Sequence, residues 1–303
     1  MNEVARVAAR FGAELILRMG DGELRRAVAR RNLAKDQPPH LRAAVCGDFV
    51  NFEDHSQEKR VVVGLRPRKN ILLRPNHRGR PLATAANIDQ VLIVIAPCPA
   101  PDLRMIDRYL AAIAAMPSEA VIVINKVDLL ETARDELMES TAALYTGLGF
   151  PVIHVSAATG EGIDEIEKHL QGKTTLLAGQ SGVGKSSLAR ALIPDIDIRI
   201  GQLSAVHGEG CHATSLARLY GLDSSGELID SPGVRGFSPY QAKANALAVA
   251  FPEITGEALH CRFHDCQHTA EPGCAIKFAV NEGRITSTRL RHYLEIYAET
   301  KRS

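Results

Sequence analysis

Eight residues constrain this chain more than any others: Gly179-Gln-Ser-Gly-Val-Gly-Lys-Ser186 matches G-x-x-x-x-G-K-[ST] at every fixed position. The pattern has a physical context. Its glycines let backbone N–H groups wrap phosphates, and the helix that follows points its positive end at the anion. Both flanks fit, since Lys173 to Ala178 reads as an apolar strand and Ser186-S-L-A-R-A-L-I193 as a helix. A chance glycine-rich turn lacks that setting. The expected phosphate cradle is Gly179, Gln180, Ser181, Gly182, Val183, Gly184, Lys185, Ser186 and Ser187. Lys185 would reach the β- and γ-phosphates, and the Ser186 hydroxyl would ligate Mg²⁺.

The surrounding sequence alternates strand and helix. Strands are expected at Gln90 to Ile95, Ala120 to Ile124, Pro151 to Val155 and Gly226 to Ile229. Helical periodicity covers Asp102 to Met116, Glu131 to Leu148 and Gly162 to Leu170. Such alternation predicts a parallel sheet covered by helices, whose ligands sit at the carboxyl ends of the strands.

Asn125-Lys126-Val127-Asp128 falls at one such end. A carboxylate at Asp128 can accept from guanine N1–H and the 2-amino group, and adenine offers neither donor on that edge. An unmet polar group makes the discrimination strong. Ser156 and Ala157 follow the next strand and can supply a backbone N–H to the guanine oxygen. Asp230-Ser-Pro-Gly233 follows another strand; Asp230 would hold Mg²⁺ through water, and the Gly233 N–H would meet the γ-phosphate. Between lies Gly208-Glu-Gly-Cys-His-Ala-Thr-Ser215, where Thr214, with Ser215 as rival, is the expected switch hydroxyl for Mg²⁺. Together these motifs define a site for GTP or GDP.

Their order is unusual. A Ras-type G domain runs P-loop, switch Thr, D-x-x-G, N-K-x-D, Ser-Ala. Here N-K-x-D and Ser-Ala come first, so the domain reads as a circular permutation. Permutation moves termini and connections while leaving the site intact. The segment after D-S-P-G now leads straight into the C-terminal residues, which are expected to sense its movement.

Charge separates the chain into three parts. The total of 36 Lys+Arg against 35 Asp+Glu argues against a nucleic-acid partner until it is resolved along the sequence. Residues 1–85 hold 17 cations and 9 acids, residues 86–240 hold 11 and 19, and residues 241–303 hold 8 and 7. A basic module beside an acidic one suggests different partners for each. The basic part reads as a small five-stranded barrel of OB type. A hairpin joins Ala13–Met19 to Glu23–Arg30 through Gly20–Gly22, and further strands are expected at Arg42–Val50, Arg60–Leu65 and Asn70–Arg74. The Ala-rich run Val4–Phe11 suits strand or helix. Arg66, Arg68, Lys69, Arg74, Arg78 and Arg80 crowd one stretch suited to phosphates.

The C-terminal part places Cys261, Cys266, His268 and Cys274 within 14 residues. Three thiolates and an imidazole make a closed tetrahedral Zn²⁺ shell, structural rather than catalytic; His260 and His264 are alternatives to His268. The spacing is unlike a C2H2 finger, so that groove-reading mode does not follow. Helices are expected at Ala275–Glu282 and Thr286–Glu299. Cys46, Cys98 and Cys211 are dispersed and read as ordinary thiols. The chain start carries a Glu and two Arg where a signal peptide needs an apolar run, and no membrane-length apolar stretch occurs, so a cytoplasmic protein with no membrane partner is expected.

Permuted G motifs between a barrel and a Cys-x4-Cys-x-His-x5-Cys tail resemble the bacterial small-ribosomal-subunit biogenesis GTPases of the RsgA (YjeQ) family. The resemblance includes Thr84-A-A-N-I-D-Q-V-L-I-V94, Ala217-R-L-Y220 and Asp265-C-Q-H-T-A-E-P-G-C-A-I276. It implies an OB-fold at 1–85, a permuted GTPase domain at 86–240 and a zinc domain at 241–303. It further implies a factor that binds the immature small subunit and its rRNA, hydrolysing GTP late in maturation and upon release. A monomer is expected. His212 is similar to the histidine proposed as catalytic in that family, and Val234 stands where Ras-like enzymes place their glutamine, a side chain unable to orient water. One departure stands out: the family's switch often reads G-[RK]-H-T-T-[TS], and this chain has Cys211 and Ala213 in it. Two other classes bear on the same motifs, a P-loop kinase and a non-catalytic GTP-regulated RNA-binding scaffold. N-K-x-D with Ser-Ala disfavours the kinase.

Overall fold

A computed structural model describes residues 3–31, 33–56, 59–75, 80–130, 132–193, 195–196, 217–223, 225–230 and 244–302. His212, Thr214, Ser215, Gly233 and Val234 lie outside the described residues, as do Cys211 and Ala213.

Five strands close the N-terminal barrel: β1 (Glu3–Phe11), β2 (Glu14–Arg18), β3 (Leu24–Ala29), β4 (Phe49–Ser56) and β5 (Lys59–Leu65). Their order is β1-β2-β3-β5-β4, with β4 antiparallel to β1 and β3 parallel to β5, the closure of an OB barrel. The β2–β3 hairpin forms as its sequence predicts, with Gly22 at positive φ in the turn and Asp21 accepting from the Glu23 N–H.

The structure settles one barrel element that the sequence left open and corrects two others. The Ala-rich run is a strand, because its small side chains let the barrel press against the neighbouring sheet. Ala8 and Ala9 are fully buried in one cluster with Tyr220 and Leu228. No strand spans Arg42–Val50. A 3-10 turn at Pro39–Leu41 and a tight turn at Gly47 replace it. The buried Asp48 carboxylate accepts from the Val45 N–H at 2.7 Å, and a Cβ at Gly47 would collide with the Ala86 carbonyl. Local side-chain hydrogen bonding here wins over strand propensity. The strand expected at Asn70–Arg74 exists as β6 (Ile71–Pro75) but stands outside the barrel, paired with β7 (Pro81–Ala86) in a two-stranded sheet.

The central sheet contains β8 (Gln90–Ile95), β9 (Glu119–Asn125), β10 (Val152–Val155), β11 (Thr174–Gly179), β12 (Arg218–Gly221) and β13 (Glu227–Asp230). Its order is β10-β9-β8-β11-β13-β12, parallel except for β12. β12 was not foreseen as a strand; its four residues are too few for a periodic signal. Every residue of β8 and β11 is buried, as expected where helices cover both faces. Alternate side chains serve opposite faces. Leu92, Val94 and Leu177 pack with Ile166, Leu170, Leu188 and Leu192 from α3 (Ile163–Leu170) and α4 (Lys185–Leu192). Val91, Ile93 and Leu176 pack with Ile106, Leu110 and Ile113 from α1 (Leu103–Ala114) and with Met138 and Tyr145 from α2 (Thr132–Gly147).

The tail is helical among the described residues: α5 (Ala244–Ala250), α6 (Pro252–Ala258), α7 (Ala275–Asn281) and α8 (Ser287–Arg302). Phe251, Ile276, Ala279 and Ile296 share the core cluster of α1, so the tail closes over that face of the sheet. Phe251, Ile276 and Ile296, fully buried, each stabilise by about 1.5–3 kcal/mol, and Ala279 by less. Among the described residues no helix is long and apolar enough to cross a membrane.

Candidate functional site

β11 delivers Gly179 to the carboxyl edge of the sheet, and α4 begins at Lys185, so the glycine-rich octapeptide is a strand-to-helix loop. Gly179 and Gly184 are glycines of necessity. Both adopt positive φ, and a Cβ would collide with the Val94 carbonyl at the first and Asn125 Nδ2 at the second. Val183 is buried and pins the loop to the core, while Ser181, Gly182, Ser186 and Ser187 are exposed. Lys185 Nζ donates to the carbonyls of Gly179 (2.8 Å) and Gln180 (2.7 Å), which lays the ammonium across its own loop.

The N-K-x-D residues meet this loop from the neighbouring strand end. Asn125, 1% exposed, donates from Nδ2 to the Val183 carbonyl at 2.8 Å and accepts at Oδ1 from the Ala157 N–H at 3.2 Å. One amide thus ties the phosphate loop to the Ser-Ala loop. Lys126, in the left-handed region, donates to the carbonyls of Gly182 (2.6 Å) and Cys98 (2.8 Å). Asp128 is exposed and accepts from Ser156 Oγ, which itself receives the N–H groups of Ala158 and Thr159. An acceptor held in this way presents a carboxylate edge without the entropy loss of fixing it at binding.

Asp230 ends β13 beside β11, opposite Arg218 on β12. Burial pushes its carboxyl pKa up, while Lys185 and Arg218 pull it down. A divalent cation would supply the positive charge that this carboxylate lacks in full. Among the described residues, Ser186 in the first turn of α4 and Asp230 at the end of β13 are the groups that could meet such a cation.

The tail brings Cys261, Cys266, His268 and Cys274 together, with all four ligand atoms within 4.8 Å of one another. His268 Nδ1 lies 3.7 Å from Cys261 Sγ and 3.6 Å from Cys274 Sγ. Zn–S near 2.3 Å and Zn–N near 2.0 Å in a tetrahedron put the S···N edge at about 3.5 Å, so the cluster fits that ion. Of the candidate histidines it is His268 that joins the thiols, not His260 or His264.

Sequence reasoning missed several supporting residues. Glu271 accepts from the N–H groups of Gln267, Thr269 and Ala270 and knots the loop between ligands; backbone N–H groups, its own first, hold its carboxyl at about 2. The Cys98 carbonyl clamps Lys126, and its position just after β8, at the same sheet edge, was the available signal. Tyr109 on α1 is hydrogen-bonded to the Gly179 backbone, and burial raises its pKa to about 12. Arg68 and Lys69, read as phosphate ligands, are otherwise engaged. Arg68 holds the buried Asp48 carboxylate with two bonds of 2.7 Å, and Lys69 pairs with Asp89 at 2.7 Å.

An OB barrel, a P-loop sheet with guanine-side and phosphate-side loops joined, and a Cys3His tail define a circularly permuted GTPase. Residues 65–239 match the family model described as RsgA GTPase. Across 96% of this chain, and 84% of the relative, the sequence is 40% identical to the small ribosomal subunit biogenesis GTPase RsgA of Azotobacter vinelandii. It is 39% identical to the Pseudomonas aeruginosa protein of the same name over 98% of this chain and 85% of that one. The crystal structure of YjeQ from Thermotoga maritima is similar over 99% of both chains, with a TM-score of 0.76 at 28% identity. YloQ, described as a circularly permuted GTPase, gives 0.72 at 26% identity over 99% of this chain and 96% of that one. The chain belongs to the RsgA GTPase family, whose reaction, GTP hydrolysis, requires a guanine nucleotide and Mg²⁺.

Proposed function

We propose that this chain acts on the small ribosomal subunit, binding its rRNA and hydrolysing GTP in late maturation and release. Two features support the reading: the relatives' names, and the Asn125 amide that joins the phosphate loop to the Ser-Ala loop. Asn125, Lys126, Asp128, Ser156 and Ala157 hold guanine; Gly179 through Ser187 hold the phosphates, with Lys185 neutralising charge as it develops. Ser186, Thr214 and Asp230 serve Mg²⁺, Gly233 meets the γ-phosphate, and His212 is the catalytic group. Bound Mg²⁺ supplies charge stabilisation to the β- and γ-oxygens.

Cys261, Cys266, His268 and Cys274 hold one structural Zn²⁺. Residues 1–85 form the RNA-binding module, 86–240 the GTPase and 241–303 the zinc module, in a cytoplasmic monomer.

The test is GTP turnover with and without purified small subunits at two salt concentrations. A stimulated, salt-sensitive rate is expected. Background turnover with subunits present would instead indicate a non-catalytic scaffold. Asp128→Asn should shift preference toward xanthine nucleotides; unchanged guanine preference would remove Asp128 from base recognition.

A further inference from the structure

The cations of the barrel divide into two sets. On β3, Arg25 pairs with Glu23 and Arg26 with Glu14; Arg6 and Arg68 are taken by Glu227 and Asp48. By contrast, Arg30, Arg31, Lys35 and Arg66 are exposed and have no acidic partner among the described residues. Arg42 is held only by a carbonyl, that of Gln37 at 2.7 Å. Four of these five lie on the connection between β3 and β4, where Asp36 is the single acid from residue 30 to 42.

Loop length points to the same place. OB barrels grip oligonucleotides with the β2–β3 face and the β1–β2 and β4–β5 loops. Here those loops hold two residues each, since β1 ends at Phe11 and β2 starts at Glu14, while β4 ends at Ser56 and β5 starts at Lys59. The β2–β3 face carries arginines already neutralised by glutamates.

The β3–β4 connection, from Arg30 to Asp48, is by far the longest in the barrel and is folded on itself. Its Pro38-Pro39 step starts the 3-10 turn, Leu41 N–H donates to Pro38 O at 2.8 Å, and Gln37 N–H donates to Ala34 O at 3.1 Å. Arg30 N–H donates to Val62 O at 3.0 Å, which sets it beside β5, just beyond whose end Arg66 sits.

We propose that the β3–β4 connection, through Arg30, Arg31, Lys35 and Arg42 with Arg66 beside it, grips the phosphate backbone of RNA. This deepens the proposed rRNA-binding role and rests on it. No ion pair has to break for these side chains to meet phosphate. Arg25 and Arg26 must first leave a glutamate, which makes them weaker phosphate ligands at equal charge. The partner is RNA rather than an acidic protein, because four cations against a single acid on one connection suit a phosphate backbone.

The experiment compares two double variants of the full chain, loaded with a non-hydrolysable GTP analogue. Arg30→Gln/Arg31→Gln and Arg25→Gln/Arg26→Gln each remove two charges. Binding to immature small subunits and to naked small-subunit rRNA is measured across a salt series, with thermal midpoints confirming folding. The first variant should weaken both ligands about tenfold and reduce the salt slope by about 1.5; the second should change either by less than about twofold. Equal losses from both variants would mean that only net charge matters and would overturn the proposal. So would an unaffected Arg30→Gln/Arg31→Gln protein, or a loss on subunits but none on naked rRNA, which would mark a protein contact. If the unsubstituted chain binds neither ligand in a salt-dependent way, the rRNA-binding reading itself fails.

Discussion

Two buried charged junctions hold the neighbouring modules to the central sheet, and they sit in different relations to the nucleotide edge. At the barrel junction, Arg6 donates to Glu227 at 3.0 Å and to Thr174 Oγ1 at 2.9 Å, and Arg18 reaches the same glutamate at 3.4 Å. Thr174 and Glu227 open β11 and β13, so this contact lies at the amino ends of the strands. Gly179 ends β11 five residues later, roughly 17 Å away at the rise of an extended strand. At the tail junction, the fully buried Asp107 accepts from Tyr145 OH at 2.6 Å, pairs with His292 Nδ1 at 2.6 Å and bonds to Arg289 Nη1. Asp107 lies on α1, two residues from Tyr109, which is bonded to Gly179. Arg104 and Arg108 add half-buried pairs to Glu295 and Glu299 on α8. One helix therefore touches the phosphate loop and the tail together. The Arg6 junction of the barrel lies at the strand ends opposite the phosphate loop; the tail junction lies on the helix that touches that loop.

The largest effect should come from removing the Zn²⁺ proposed for the Cys3His cluster. Without it, the loop between Cys261 and Cys274 loses its cross-link, and α7 and α8 lose the base from which Arg289 and His292 reach Asp107. Structural zinc contributes on the order of 10 kcal/mol in small modules. Chelation is expected to abolish cooperative unfolding of residues 251–302 while leaving the barrel folded, as read by circular dichroism and site-resolved hydrogen exchange. A tail that unfolds at the same midpoint with and without chelator would break that side of the comparison.

Asp107→Ala should follow, costing about 3 kcal/mol in urea denaturation, since it removes the buried acceptor shared by Tyr145, Arg289 and His292. Burial alone would lower the Arg289 pKa, but Asp107 and Glu253 raise it, so the guanidinium stays charged and needs its partners. The same variant is expected to weaken GDP affinity through α1. Arg6→Ala should cost about 2 kcal/mol, less because Glu227 keeps Arg18, and should leave GDP affinity within about twofold. If the two variants alter GDP affinity alike, the junctions are not different in kind.

The smallest effect concerns Asp230, and it has the opposite sign. Its pKa is raised above 3.8, burial being the largest cause. A raised carboxyl pKa penalises the nucleotide-free fold as pH climbs from below 3.8 through the folded-state value. Asp230→Asn should therefore stabilise the nucleotide-free protein by about 1 kcal/mol at neutral pH, with little gain at pH 3. It should also weaken Mg²⁺-dependent nucleotide binding. Loss of stability at neutral pH would show that the charge is already compensated.

What could be read from the sequence follows from how local each feature is. The phosphate loop, N-K-x-D and the Cys3His cluster are short motifs in which few residues carry the chemistry, and their spacing survives permutation. The strands β8, β9 and β11 announce themselves because burial on both faces makes them continuously apolar. Neither junction was legible. Arg6 and Glu227 are 221 residues apart, and Arg289 and Asp107 are 182 apart. With 36 cations and 35 acids, sequence gives no rule for who pairs with whom. Arg68 shows the cost of guessing: it sits in a basic run suited to phosphates, yet it serves Asp48. The strand assignment at Arg42–Val50 failed for a related reason, because the Asp48 side chain competes locally for backbone hydrogen bonds.

The difference between the junctions is tested most directly by hydrogen exchange with GDP and with a non-hydrolysable GTP analogue, resolved along the chain. The account predicts altered protection in α1 and α8, with β1 through β5 unchanged. Altered exchange in the barrel equal to that in α8, or identical exchange in α8 in both states, would contradict it.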